Sequence, residues 1–232
     1  MIDGIVFDKD GTLFDFRRTW AGWAARLLAE LGDGEAARIR AMAAAIGFDL
    51  AAQEFAPDSP VIAGTAGEIA AILSLHRPDI ALPALLDRMN ALAAAADLVE
   101  AVPLRPFLMR LRGRGLRLGV ATNDAEAPAH AHLAAAGVTD LFDFVAGYDS
   151  GHGSKPGPGP LLAFAAATGL DPARVAMVGD SLHDLHAGQA AGMIPVAVLT
   201  GVAGHAELAP HAAVVLPDIG GLEAWIAARA AA

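Results

Sequence analysis

From Pro103 onward, short apolar, β-prone runs alternate with helical runs, and this alternation restricts the fold more than any other feature of the chain. Strands read at 116–121, 144–146, 175–178, 196–199 and 213–216, with Ile5-Val6-Phe7 as a further strand near the N-terminus. Helices read at 106–112, 126–136, 160–168, 181–191 and 222–230. Strands that alternate with helices are joined by right-handed crossovers. The pattern therefore predicts an α/β fold, a doubly wound, mostly parallel sheet with helices on both faces. Such a sheet binds its ligands beyond the C-terminal ends of its strands.

Chemistry-bearing residues fall at those ends. The strand 5–7 runs into Asp8-Lys9-Asp10-Gly11-Thr12, the strand 116–121 into Thr122-Asn123, and the strand 175–178 into Gly179-Asp180-Ser181 with Asp184 beyond. Asp8 and Asp10 project to one side while the chain stays extended, and Gly11 permits the turn that follows. Two such charges about 4 Å apart repel by roughly 4 kcal/mol at an effective dielectric of 20, so a cation or a shared proton is expected between them. Thr122 offers a hydroxyl and nearby backbone N–H groups for an anion, and Thr122-Asn123-Asp124 can cap the helix 126–136. The chain has two lysines, Lys9 and Lys155. Lys155 stands in the Gly/Pro-rich loop 151–160. Lys9, the odd residue between two aspartates, is expected to point away from the carboxylates.

The rest of the composition narrows the function. A net charge of −10 over 232 residues, with no basic run, leaves no footprint for nucleic acid. Cysteine is absent, which excludes disulfides, thiolate catalysis and cysteine-held metal, and suits a cytoplasmic protein. No signal sequence or membrane span reads from the chain. Residues 15–99 read as an all-helical insertion, with helices at 20–31, 35–46, 65–75 and 82–98. Trp20 and Trp23 fit helix packing within it, and the histidine pairs His130/His132 and His183/His186 fit surface or helix-packing positions. Residues 1–14 and 100–232 form the α/β core.

In order and spacing, Asp8-x-Asp10-Gly11-Thr12, Thr122-Asn123, Lys155-Pro156-x-Pro158 and Gly179-Asp180-Ser181-x-x-Asp184 resemble the haloacid dehalogenase-like hydrolases, and most of all their phosphoglycolate-phosphatase-like group. The resemblance implies a Rossmann-like core, with the insertion as a helical cap over the active edge. It implies that Asp8 is the nucleophile that forms an aspartyl-phosphate and that Asp10 is the general acid and base. Thr122, Asn123 and Lys155 would hold the phosphoryl group. Asp8, Asp180 and the backbone carbonyl of Asp10 would bind Mg2+, with Asp184 supporting them from behind. Cap-side substrate contacts are expected among Phe16, Arg17, Arg18 and Trp20, where Arg17 or Arg18 could bind a substrate carboxylate. Implied is a magnesium-dependent phosphatase for a small phosphorylated metabolite, with phosphoglycolate as the leading guess, acting as a monomer or homodimer. Alternatives are a sugar phosphomutase on the same scaffold and a non-catalytic phosphate-binding regulatory module.

Overall fold

The structure, a computed structural model, describes residues 2–231. In chain order its elements are β1 (Gly4–Phe7), α1 (Phe16–Gly32), α2 (Ala36–Ala45), β2 (Phe48–Asp49), β3 (Glu54–Phe55), α3 (Ala66–Ser74), α4 (Leu82–Ala94), α5 (Leu104–Gly113), β4 (Arg117–Ala121) and α6 (Glu126–Ala135). There follow β5 (Phe144–Ala146), α7 (Gly159–Thr168), β6 (Val175–Gly179), α8 (Leu182–Ala190), β7 (Ile194–Val198), α9 (His205–Leu208), β8 (Val214–Leu216) and α10 (Leu222–Ala231).

Six strands form one sheet in the order β5-β4-β1-β6-β7-β8, and every pairing is parallel. Period-2 alternation divides the strand residues between two layers. Ile5, Phe7, Leu118, Val120, Ala176 and Val178 face a core completed by α5, α6 and α10. Val6, Ala121, Val175 and Met177 face the other layer, against Leu161 and Phe164 of α7 and Ala187 of α8. A sheet covered on both faces accounts for the near-continuous apolar strands. Chain succession runs from β1 through β4 to β5 and then returns to β6, so the reversal lies beside β1, where a crevice forms at the strand ends.

Residues 16–94 build their own hydrophobic cluster, in which Trp23, Leu27, Leu28 and Leu31 of α1 pack with Met42 of α2, Leu73 of α3, and Leu85 and Met89 of α4. Asp15 caps α1 by accepting from Arg18 N–H at 2.9 Å. The two chain crossings between this insertion and the sheet are joined, Asp15 N–H donating to Val99 O at 2.8 Å. The insertion is not all-helical: β2 and β3 form a small antiparallel hairpin, too short at two residues each to show periodicity in the sequence. Helix α4 also stops at Ala94, short of the expected residue 98. Among the described residues, no helix is long and apolar enough to cross a membrane.

Candidate active site

Strands β4, β1 and β6 are adjacent and parallel, so Thr122, Asp8 and Asp180 leave the sheet side by side. Gly11 turns the chain away from Asp10 with φ of 83°. A Cβ there would collide with the Asp180 carboxylate, so glycine serves both the turn and the close approach. The hydroxyl of Thr200, in the loop after β7, donates to Gly11 O at 2.5 Å and braces the same turn. Thr12 Oγ1 lies 3.5 Å from Asp180 Oδ1.

Lys155 reaches this cluster from its loop. Its ammonium donates to Asp8 Oδ1 at 2.5 Å and to Asp184 Oδ1 at 2.6 Å, with almost none of the side chain exposed. Asp184 accepts at its other oxygen from the Ser181 N–H, 3.0 Å, and hydroxyl, 2.7 Å, which closes the first turn of α8 and leaves both of its oxygens engaged. The Asn123 side chain is committed to holding the Lys155 loop. Its Oδ1 accepts from Lys155 N–H at 2.9 Å, and its Nδ2 donates to Lys155 O and to Ala63 O of the insertion, each at 2.9 Å. Thr122 is buried, and its Oγ1 accepts from Asp124 N–H at 3.1 Å, which leaves the hydroxyl proton to donate elsewhere. The 122–124 segment does not cap α6 from its own end as expected. Asp149 accepts from Glu126 N–H at 2.9 Å and takes that place from another loop.

The donor set fits an oxygen-loving divalent cation. Oxygens of Asp8, Asp180 and Asp184, all buried, lie within 4.8 Å of one another. Lys155 pairs with two of them, whereas Asp180 has no ion-pair partner among the described residues. Burial pushes the Asp8 carboxyl up to about 7, with Lys155 opposing and Asp184 and Asp10 adding to the rise. Burial, reinforced by Asp184 and Asp8, holds Asp180 well above the ordinary carboxylate range. Carboxylates too crowded to ionise together, with oxygen as the sole donor atom, suit a hard divalent cation.

Residues 2–192 match the sequence profile of the family described as haloacid dehalogenase-like hydrolase. The chain belongs to the haloacid dehalogenase-like hydrolases. It is similar to the phosphoglycolate phosphatase of Rhodospirillum rubrum, with 31% identity over 235 residues covering 97% of this chain and 91% of that protein. It is also similar to the phosphoglycolate phosphatase of Nitrosospira multiformis, 34% identical over 191 residues, 82% of this chain and 80% of that one. The crystal structure of CbbY from Rhodobacter sphaeroides in complex with phosphate shares the fold, at a TM-score of 0.67 and 23% identity over 96% of this chain and 100% of that one.

In this haloacid dehalogenase-like hydrolase Lys9 does not avoid the carboxylates. Its Nζ lies 2.6 Å from Asp10 Oδ2, 3.2 Å from Asp124 Oδ2 and 2.9 Å from His132 Nδ1, and 5.3 Å from the centre of the Trp20 ring. The side chain is fully buried. Burial acts to lower its pKa, but Asp10 and Asp124 outweigh it and hold the ammonium above the ordinary lysine value. Because an ammonium only donates, His132 Nδ1 accepts and Nε2–H donates, to Ala93 O of α4 at 2.6 Å. Burial and Lys9 both disfavour the imidazolium. His132 is thus an internal link between core and cap. Alternation describes where Cβ points, and the four-carbon lysine stem reaches round that constraint.

Over this edge the cap and the core enclose a cavity of about 660 Å³, counting its open mouth. Asp8, Asp10, Thr122, Asn123, Lys155, Asp180 and Asp184 all line it. Of the expected cap contacts, Phe16 and Trp20 line it and Arg17 and Arg18 do not: both arginines are exposed. As α1 leaves Asp15, its inward stripe is Phe16, Thr19, Trp20 and Trp23, which turns residues 17 and 18 to solvent. Trp23, Met89 and Asn90 also line the cavity, from helices on which no sequence motif marked them.

Proposed function

We propose that this chain is a magnesium-dependent phosphatase that hydrolyses a small phosphorylated metabolite through an aspartyl-phosphate on Asp8. The observation that carries the reading is the meeting of Asp8, Lys155, Asp180 and Asp184 at the floor of the enclosed cavity. The family membership and the names of the two relatives support it. Phosphoglycolate, named for both, is the reference ester of that class.

In this reading the Asp8 carboxylate attacks phosphorus in line with the ester oxygen. The new Asp8 O–P bond forms as the P–O bond to the alcohol breaks, and Asp10 gives its proton to the departing alkoxide. Asp10 then takes a proton from water, and the resulting oxygen nucleophile attacks phosphorus and breaks the Asp8 O–P bond, releasing phosphate and restoring both aspartates. Asp10 suits the part: Oδ2 is anchored by Lys9, while Oδ1 is buried without a hydrogen-bond partner in a residue that lines the cavity. The Lys155 ammonium holds Asp8 in place and neutralises charge on the transferring group, and the Thr122 hydroxyl donates to one of its oxygens. Asp8, Asp180 and the Asp10 backbone carbonyl would hold magnesium, with Asp184 steadying Lys155. When bound, the ion supplies positive charge against the phosphoryl oxygens and keeps Asp8 ionised. Closure of the cap over the edge excludes water during transfer.

The test is hydrolysis of p-nitrophenyl phosphate and phosphoglycolate with and without magnesium, for the parent protein and Asp8→Asn. Magnesium-dependent turnover that Asp8→Asn abolishes is expected. Turnover retained by Asp8→Asn removes Asp8 from its role.

A further inference from the structure

The wall of the cavity opposite the aspartates is supplied by the cap, and its chemistry differs from what a carboxylate-bearing substrate such as phosphoglycolate requires. Phe16, Trp20, Trp23, Ile62, Ile69 and Met89 make most of that wall. Among the described residues, no lysine or arginine of the cap lines it. Arg17 lines a separate, smaller groove beside Glu54 and Phe55, and Arg18 is exposed. The two ammonium groups near the floor are already committed. Lys155 is matched to Asp8 and Asp184, and Lys9 to Asp10 and Asp124.

The N-terminus of α3 reaches the cavity through Ala66, but a carboxylate of the chain's own closes it: Glu68 Oε2 accepts from Thr65 N–H at 2.7 Å and from the Thr65 hydroxyl at 3.0 Å, while Thr65 Oγ1 accepts from Glu68 N–H at 3.2 Å. A second carboxylate there would meet like charge. Burying a carboxylate against this wall carries a large desolvation penalty that no lysine or arginine of the cap offsets.

Two polar atoms of the cap wall remain unsatisfied. Trp20 Nε1, on a side chain more than nine-tenths buried, is a donor without a partner, and Asn90 Oδ1 is an acceptor without one; both residues line the cavity. Buried polar groups are rarely left so unless a water, an ion or a ligand completes them. An unpaired donor and an unpaired acceptor lining the same cavity suit an uncharged group that both accepts and donates, such as an amide or a hydroxyl.

We propose that the cap of this chain selects phosphate esters of uncharged, largely apolar alcohols, with Trp20 donating to and Asn90 accepting from a neutral polar group on the alcohol, and that it discriminates against alcohols carrying a carboxylate. This rests on the phosphatase reading above and specifies its leaving group.

The test uses the full chain with magnesium at pH 8, where imidazoles are neutral. Initial rates are compared for benzyl phosphate, its para-carboxamide, its para-carboxylate and phosphoglycolate, with p-nitrophenyl phosphate as a generic ester. The expected result is a kcat/KM for benzyl phosphate and the carboxamide about tenfold or more above that for either carboxylate. Trp20→Phe keeps the ring in the cap and removes the donor, and Asn90→Leu removes the acceptor. Each is expected to bring the carboxamide-to-benzyl ratio of kcat/KM toward unity. Carboxylates turned over as well as their neutral counterparts overturn the charge selection, and a ratio unmoved in both variants overturns the assignment of Trp20 and Asn90. If p-nitrophenyl phosphate and the whole panel are left intact, the phosphatase reading itself falls and this one with it.

Discussion

Methionine at position 9 would keep the length of the lysine side chain and remove the charge that Asp10, Asp124 and His132 converge on. Lys9→Met is therefore expected to destabilise the protein by about 3–5 kcal/mol in urea denaturation, because it strands two acids and leaves the buried His132 Nδ1 without its donor. It should also lower kcat more than it alters KM, since Asp10 loses the anchor on one of its oxygens. Full stability in the variant would show that the Lys9 ammonium does not hold this cluster together. Lys155→Met acts at the other end of the floor. Loss of the cation facing Asp8 is expected to lower kcat by about 10²–10³-fold for a generic phosphate ester, the scale seen when one charge-stabilising donor is removed from an active site. Lys155 was legible from its place in the order of motifs. The partners of Lys9 were not, because His132 and Asp124 lie more than a hundred residues away in the chain and only the fold brings them to it.

Among the elements, β4 shows how closely layer and sequence are matched. A Cβ on Gly119 would lie 2.5 Å from the Phe164 ring of α7, so glycine at that point lets the helix settle on the sheet. Gly119→Ala is expected to cost about 1–3 kcal/mol by overpacking, measured as a shift in urea midpoint with the slope unchanged. In the cap, Leu28 of α1 is fully buried among α1–α4 side chains, and Leu28→Ala should cost about 2–5 kcal/mol. If the cap folds with the core as one cooperative unit, a single transition will carry that loss; a separate, earlier transition would show that the cap melts by itself. The boundaries of most core elements fall within one or two residues of the periodicity, since each strand is a short, largely apolar run that ends at a polar residue, a glycine or a proline within two positions. The β2–β3 hairpin and the end of α4 escaped because two-residue strands have no period and the alanine-rich 93–96 run gives no stop signal.

For the molecule as a whole, the aspartate cluster is expected to tie stability to pH and to a divalent cation. Asp8 is pushed up to about 7 and Asp180 well above its ordinary value near 3.8. In the metal-free protein the folded state thus holds protons that the unfolded chain releases, so stability is expected to fall as pH rises from about 4 through 7. A divalent cation favours the ionised carboxylates and should reverse that loss. Thermal melts are expected to show a clear rise in Tm with magnesium at pH 8 and a much smaller one at pH 5; an equal rise at both would place the ion elsewhere. The sequence by itself determined the α/β class, the parallel order of strand and helix, and the convergence of Asp8, Thr122 and Asp180 on one sheet edge. These follow from local periodicity and from the crossover rule, which act over tens of residues. Only the tertiary structure decided that Lys9 anchors Asp10, that Asn123 holds the Lys155 loop against the cap, that Arg17 and Arg18 face solvent, and that the cavity wall is apolar with one donor and one acceptor unpaired. Those outcomes depend on how far a long side chain reaches and on which face of one helix meets another, and both are set by packing between segments remote in the chain.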